Sequence, residues 1–537
     1  MTSLHDDDEK ILKGDSLSQV PECSIGELIL PKLKSLPKDD VFLIDGETGI
    51  EQTVGQFLSN GLQLLEGLKK IGLNENDVIG MLCKNGFEAN SIVLASWIGA
   101  ATLAPVNSSM KVSELKHALS VIRPKFIFCE DDVLEKVQSA LGDSSSDNVT
   151  IILVNENKNS KYANLRFKDV LVNVDVDTYK PQPVKCPGRQ LAVISPSSGT
   201  SGLPKGIGIS HKNLVFQNMV LEKIDLFDKT EICLQLSHFY WITAILMFLR
   251  SLTLGTKRIF LNVINPENTF KAIEKYNPTF TILAPLTLLG LTKHADFKKY
   301  NLSSLKYVLV GGSSLTDTML VQIKEAWPKI KLYNTYGMTE ASGIVCQNND
   351  QDTSIGRVTP GVWLKIVDTT TGSALKSNSP GEICIHGCGV MAGYVNNEKA
   401  TRESIDDDGW LHSGDVGYYD DDGKFFIVDR IKEMIKVRDM QVTPTEIENV
   451  ILTVPGVFEV GVVGIPHERD IFHLMALVVK KENHSVKEND IHAAVNGTLS
   501  EYKSLTAGIR FIDFIPKTAT GKIDRNTLKS IALELYA

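Results

Sequence analysis

A layered α/β protein is predicted for this 537-residue chain by two features: short apolar or β-branched runs alternate with helical patterns, and 43% of the residues are hydrophobic. The length adds a third, being several times the roughly 150 residues of an ordinary domain. The strand-like runs fall at 78–82, 126–128, 150–154, 191–194, 279–283 and 307–310. Strands that recur between helices favour parallel sheets covered by helices. Stretches 54–71 and 268–276 carry apolar residues at three- and four-residue spacing and predict two of those helices. The longest apolar stretch, 91–106, falls short of the ~20 residues that span a bilayer. It reads as a core helix running into a strand, so no integral membrane segment is expected.

Polar segments 142–148 and 155–161 read as surface loops. A more useful boundary follows the acidic turn Asp420-Asp421-Asp422-Gly423-Lys424 and a strand at 425–428. Beyond it a helix at 444–452, strands at 459–463 and 474–479 and a helix at 489–499 predict a small α+β unit over 431–537. No internal repeat is visible.

Charged residues make up 23% of the chain and the net charge is −9. Mild acidity argues against a surface built to neutralise a nucleic-acid backbone or an anionic membrane, and no nucleic-acid partner is expected. Eight cysteines are too sparse for a disulfide scaffold. Cys384 and Cys388 are the close pair, with His386 between them, and without a second ligand cluster in the sequence they read as reduced thiols, not as a zinc site. The acidic amino terminus is unlike a signal peptide, and the chain ends Leu535-Tyr536-Ala537 without a Ser-Lys-Leu address, so a cytoplasmic location is expected. Oligomeric state is not legible in these residues.

Four clusters carry chemistry. Ser195-Pro-Ser-Ser-Gly-Thr-Ser-Gly-Leu-Pro-Lys-Gly206 follows a strand and packs hydroxyls, glycines and Lys205 into twelve residues. Glycines let backbone N–H groups approach an anion, so a polyphosphate is a natural guest, and a plain surface loop is the alternative. Tyr333-Asn-Thr-Tyr-Gly-Met-Thr-Glu340 ends a strand with a carboxylate suited to Mg²⁺, or is a turn whose Thr339 caps a helix. Gly409-Trp-Leu-His-Ser-Gly-Asp415 places one acid after a tight turn, suited to a sugar diol or merely solvated. Near the end, Pro516-Lys-Thr-Ala-Thr-Gly-Lys522-Ile-Asp-Arg525 presents Lys522 on a turn, a position that is often only solvated.

In this order and combination the clusters resemble the acyl-adenylate-forming enzymes, the family of acyl-CoA synthetases, 4-coumarate-CoA ligases and firefly luciferase. The likeness runs through Ser197–Gly206, Tyr336–Glu340, Gly393-Tyr-Val-Asn-Asn, and Trp410–Asp415 to Arg430. It implies a large amino-terminal domain of layered sheets and helices over 1–430 and a small mobile α+β domain over 431–537, with Lys432 at the hinge. By the same resemblance Ser197, Ser198, Gly199, Thr200, Ser201 and Gly202 would embrace the triphosphate of ATP. Gly311, Gly312, Ser313, Tyr336 and Gly337 would line the adenine slot. Thr339 and Glu340 would serve phosphate and Mg²⁺, Asp415 and Arg430 would hold the ribose, and Gln441 would join the nucleotide-binding set. Lys522, Lys205 and Lys436 would be the catalytic lysines.

The same resemblance implies activation of a fatty or aromatic carboxylic acid to acyl-AMP and transfer to coenzyme A, with a luciferase-like oxidation by O₂ as the alternative second step. A non-catalytic nucleotide- or acid-binding relative is a third reading, against which the presence of all five key side chains speaks. Two departures from the family's pattern bear on the choice. Asp439 stands where members carry glycine beside the pantetheine tunnel, which opposes thioester formation on steric and electrostatic grounds. Tyr240-Trp241-Ile242-Thr243 replace a His-His-Gly-Phe run of firefly luciferase, and Gln217 replaces its luciferin-contacting arginine. The acid pocket is therefore expected to contain Gln217, Tyr240, Trp241 and Thr243 and to exclude beetle luciferin.

Overall fold

The computed structural model describes residues 10–142, 148–155, 165–196, 205–224, 228–437, 440–467, 469–482, 484–517 and 522–536. Two large sheets form the body. In the first, Val78–Leu82 lies between Thr102–Pro105 and Phe126–Cys129, all parallel, with Thr150–Leu153 and Leu165–Arg166 continuing outward. On its other side Leu191–Pro196 is parallel to Thr102–Pro105, and Gly206–Ser210 returns antiparallel. In the second sheet Val41–Asp45, Arg258–Phe260, Cys233–Gln235, Phe280–Leu283, Tyr307–Gly311 and Lys331–Met338 run parallel, and Gly343–Asn348 closes antiparallel. The predicted α/β layering is thus present, with strand positions within a few residues of the sequence reading.

Why the layers hold follows from the helices between them. Phe87–Ile98 has an unbroken buried run from Ala89 to Ile98, the mark of a helix enclosed on every side. Trp97 and Phe248 lie at the centre of the same core, each fully buried, with ring centroids 6.0 Å apart. Burying one such aromatic or aliphatic side chain is worth about 1.5–3 kcal/mol. Starts are fixed chemically: Thr53 and Gln56 form a reciprocal capping box on the helix Val54–Lys70. Ser210 does the same with Asn213 on His211–Lys223, so this helix begins where its strand ends.

A third sheet is antiparallel throughout: Trp363–Val367, Gly381–His386, Leu411–Tyr419 and Phe425–Arg430, with Leu12–Lys13 at one edge. The strand–helix alternation did not foresee it. After Arg430 a short 3₁₀ turn, Ile431–Glu433, leads into a fourth sheet of Ile435–Val437, Met440–Val442, Val457–His467, Ile471–Lys480 and Gly508–Phe511. Helices Pro444–Leu452, Glu488–Thr498 and Arg525–Tyr536 accompany it. The first of them opens on a proline, which is pre-set for that position. Among the described residues no helix is long and apolar enough to cross a membrane.

Candidate active site

Several of the sequence-predicted residues lie at or just past the carboxyl ends of strands, where open α/β sheets bind their ligands. Gly311 ends one strand, Tyr336 and Gly337 lie near the end of the next, and Pro196 ends a third. Gly206 pairs with Pro196 across the antiparallel return. Residues 197–204, and with them Ser197, Ser198, Gly199, Thr200, Ser201 and Gly202, lie outside the described residues. Lys205 stands at the foot of that segment, its Nζ 4.5 Å from the ring centre of Tyr394.

Tyr394 joins two clusters. Its hydroxyl donates to Glu340 Oε1 at 3.1 Å. The strand Gly393–Tyr394 is held in place by Ile207 and Gly208, which pair with Tyr394 and Gly393. Met391 N–H in turn donates to the Glu340 carbonyl at 2.8 Å. Burial pushes the Glu340 carboxyl above its ordinary pKa, with Tyr394 and Arg430 opposing the rise. A buried carboxylate of this kind gains from a hard cation, so Glu340 fits a Mg²⁺ ligand. Thr339 opens the 3₁₀ turn Thr339–Ala341 but does not cap it: Met338 is the cap residue and there is no side-chain cap bond. That removes the helix-cap alternative for Thr339.

Asp415 is 5% exposed. Its Oδ2 accepts from the Tyr336 hydroxyl at 2.8 Å and its Oδ1 faces Arg430 Nε at 3.0 Å. Cross-strand register creates the second contact, since Asp415 and Arg430 are direct partners. Gly414, at φ +71°, supplies the turn before Asp415. Burial works against the Arg430 charge, but Asp415, Glu433 and Glu340 outweigh it and raise its pKa. Burial and Asp415 together raise the Tyr336 phenol, so it stays a donor.

Lys522 reaches the same place from the other end of the chain. Burial, then Arg430, lowers its pKa, while Asp415, Glu433 and Glu340 support its charge. Three residues on, Arg525 fastens the tail: its guanidinium grips Glu433 at 3.0 Å and Glu448, and donates to the Val462 carbonyl at 3.1 Å. Tyr394, Glu433 and Arg525 received no role from the sequence. Tyr394 had a signal in its place in the Gly393-Tyr-Val-Asn-Asn run, and Arg525 in closing the Pro516–Arg525 cluster.

Gly312 (φ +79°) and Ser313 are exposed beyond Gly311. A side chain at Gly337 would meet the Gly343 carbonyl at 2.1 Å, so glycine is needed there for packing. Lys436 is exposed on Ile435–Val437, its backbone paired with Gln441. Residues 438–439, including Asp439, lie outside the described residues. Tyr240 and Trp241 are half-buried neighbours, ring centroids 5.6 Å apart, at the start of the helix Ile242–Leu254, whose second residue is Thr243. Gln217 is fully buried, and its carboxamide bonds the Ala341 carbonyl at 3.1 Å and the Ile344 N–H at 3.3 Å, bracing the turn after Glu340.

Glu382, Cys384 and His412 were also unforeseen as a group. Glu382 Oε2 lies 2.8 Å from His412 Nδ1 while its Oε1 accepts from Gly414 N–H at 3.0 Å, one residue before Asp415. Cys384 Sγ is 3.6 Å from the same imidazole nitrogen. Cys384 and Glu382 push His412 up to about 10, and burial raises the Cys384 thiol, so the trio is an imidazolium, a carboxylate and a thiol.

Comparison with known proteins agrees with this geometry. Residues 32–395 match the profile of the AMP-binding enzyme family and 446–522 that of the AMP-binding enzyme C-terminal domain. Luciferin 4-monooxygenase of Photuris pensylvanica is 33% identical, over 89% of either chain. 4-Coumarate–CoA ligase 1 of Arabidopsis thaliana is 31% identical, over 91% of this chain and 89% of its own. The structure of the luciferase-like enzyme from the nonluminescent Zophobas morio mealworm superposes with a TM-score of 0.72 at 28% identity, over 79% of this chain and all of that one.

Proposed function

Since the chain belongs to the AMP-binding enzyme family, the acyl-adenylate-forming enzymes, we propose that it activates a fatty or aromatic carboxylic acid with ATP, releases pyrophosphate, and passes the acyl group from acyl-AMP to coenzyme A. The observation that carries this reading is the cluster of Tyr336, Asp415 and Arg430 beside Glu340, with Lys522, from the far end of the sequence, within electrostatic reach of Arg430, Asp415 and Glu340. Residues 1–430 would form the adenylating body and 431–537 the lid that delivers Lys522, turning at Lys432.

The chemistry asks little of proton transfer. A carboxylic acid with a pKa near ~4 is already an anion at neutral pH and attacks the α-phosphorus without a general base. What remains is alignment and charge neutralisation at a pentavalent phosphorus and a departing pyrophosphate. Asp415 would accept from the ribose diol while Arg430 and Tyr336 fix its orientation. Lys205, anchored over Tyr394, would lie along the polyphosphate, and Lys522 would bridge the acid and the α-phosphate. Glu340, with Thr339 beside it, would hold Mg²⁺, which supplies electrostatic screening of the polyphosphate when bound. Tyr240, Trp241 and Thr243 would border the acid.

ATP–pyrophosphate exchange with a panel of fatty and aromatic acids tests the first step whatever the acceptor. No acid-stimulated exchange across the panel would overturn the reading. A second reading for the later step is oxidation of the adenylate by O₂. It is favoured by Asp439, which stands where the resemblance expects glycine, and by a luciferin 4-monooxygenase among the relatives. Assaying acyl-CoA formation against light emission with the same acid separates the two.

A further inference from the structure

The hairpin joining Val457–His467 to Ile471–Lys480 carries a group that adenylation does not use. In its register His467 faces Ile471, and Ile465 faces His473. His467 and His473 are therefore diagonal neighbours on one face of the ribbon, a relation that brings large side chains together. Their rings stack with centroids 3.6 Å apart and planes 14° off parallel. Asp470, in the turn between them, points its Oδ2 at both: 2.8 Å from His473 Nε2 and 3.8 Å from His467 Nδ1. One ligand atom from each residue falls within 4.8 Å of the other two. The turn that permits this is strained, because Ile471 sits at φ +66°, a region that β-branched residues avoid.

We propose that His467, Asp470 and His473 form a binding site for one divalent transition-metal ion of the zinc or nickel class. Two imidazole nitrogens and a carboxylate are the donor set such ions prefer, and three protein ligands leave positions for water. The lone pairs are suitably disposed. His467 Nδ1 only accepts, from the Arg469 and Asp470 N–H groups at the long distances of 3.4 and 3.3 Å. His473 Nε2 faces a carboxylate, so it carries the hydrogen of that contact. Binding would move that hydrogen of the neutral imidazole from Nε2 to Nδ1, freeing the Nε2 lone pair for the metal with no net release of a proton. The side chains are 34%, 19% and 17% exposed, which leaves the ion a path in.

The test is isothermal titration of the full chain with zinc chloride, free of nucleotide and Mg²⁺, in two buffers of different ionisation enthalpy. One saturable site is expected, with the same apparent enthalpy in both buffers, because the tautomer exchange releases no net proton. His473→Gln keeps a donor toward Asp470, and His467→Asn keeps an acceptor near the turn. Each should weaken the site at least tenfold with an unchanged circular dichroism spectrum, and Asp470→Asn should do likewise. Cys384→Ser should leave it intact. Failure of the wild-type chain to saturate below about 100 μM zinc, or equal affinity in the three hairpin variants, would reduce the trio to a hydrogen-bonded turn.

Discussion

Replacing Lys522 by alanine removes the tail group proposed to bridge the acid and the α-phosphate. Its ammonium is half-buried among Asp415, Glu340 and Glu433, with Arg430 as the opposing cation. Two unit charges about 4 Å apart interact by about 4 kcal/mol at an effective dielectric of 20. The neighbouring carboxylates already neutralise part of this charge, so the transition state should feel less than the full amount. Loss of a preorganised donor at a developing oxyanion typically slows the chemistry by about 10²–10³-fold. We place Lys522→Ala at the lower end, about a hundredfold, which corresponds to about 2.7 kcal/mol. ATP affinity should change by less than about threefold, because Tyr336, Asp415 and Arg430 keep their mutual contacts and Glu433 keeps Arg525. The measurement is acid-dependent ATP–pyrophosphate exchange, paired with direct ATP binding. Exchange within threefold of the parent would refute the assignment, and loss of ATP binding to the same degree as exchange would refute its confinement to the chemical step.

The Glu382–His412 pair should register in stability against pH. His412 is raised from 6.5 to about 10, so its stabilisation is complete below pH 6.5 and is lost as the pH climbs towards 10. With the imidazole about a third exposed, solvent screening reduces this to about 1 kcal/mol, or about 2–4 °C in Tm, a decline that His412→Gln should lack. Arg525→Ala strands the buried Glu448 carboxylate and should destabilise the tail by about 3–5 kcal/mol. Limited proteolysis after residue 430 should accelerate and pyrophosphate exchange should fall; an unchanged cleavage pattern would remove the docking role. Trp241→Ala should raise KM for the best acid about tenfold while KM for ATP stays within twofold, and a parallel rise in both would place Trp241 in the core instead of the pocket.

Local pattern made the parallel strands readable, because β-branched runs between helices announce themselves within a few residues. It also isolated the strand end at Tyr336 and the turn before Asp415. The antiparallel sheet of Trp363–Arg430 was hidden apart from its strand at 425–428, since a single short helix, Glu398–Ser404, interrupts its strands and its partner Leu12–Lys13 lies some 350 residues away in sequence. The bond from Glu382 to Gly414 and the grip of Arg525 on Glu433 and Glu448 were equally invisible: each depends on register between segments tens of residues apart. The bracing of the backbone at 341–344 by Gln217 was hidden for a related reason: alignment locates a side chain on a helix, but only packing shows what its amide bonds.

Arg430 belongs to two structures at once. It completes the antiparallel sheet by pairing with Asp415, and the very next residue begins the turn that leads to the tail. Under the proposed function a ligand that grips Asp415 would pull on the pivot at Lys432, and by reciprocity any preferred orientation of the tail would alter the grip on that ligand. Occupancy of the proposed nucleotide pocket and the attitude of the last hundred residues would then be two readings of one equilibrium, and a defect introduced at Arg430 would be confined to neither.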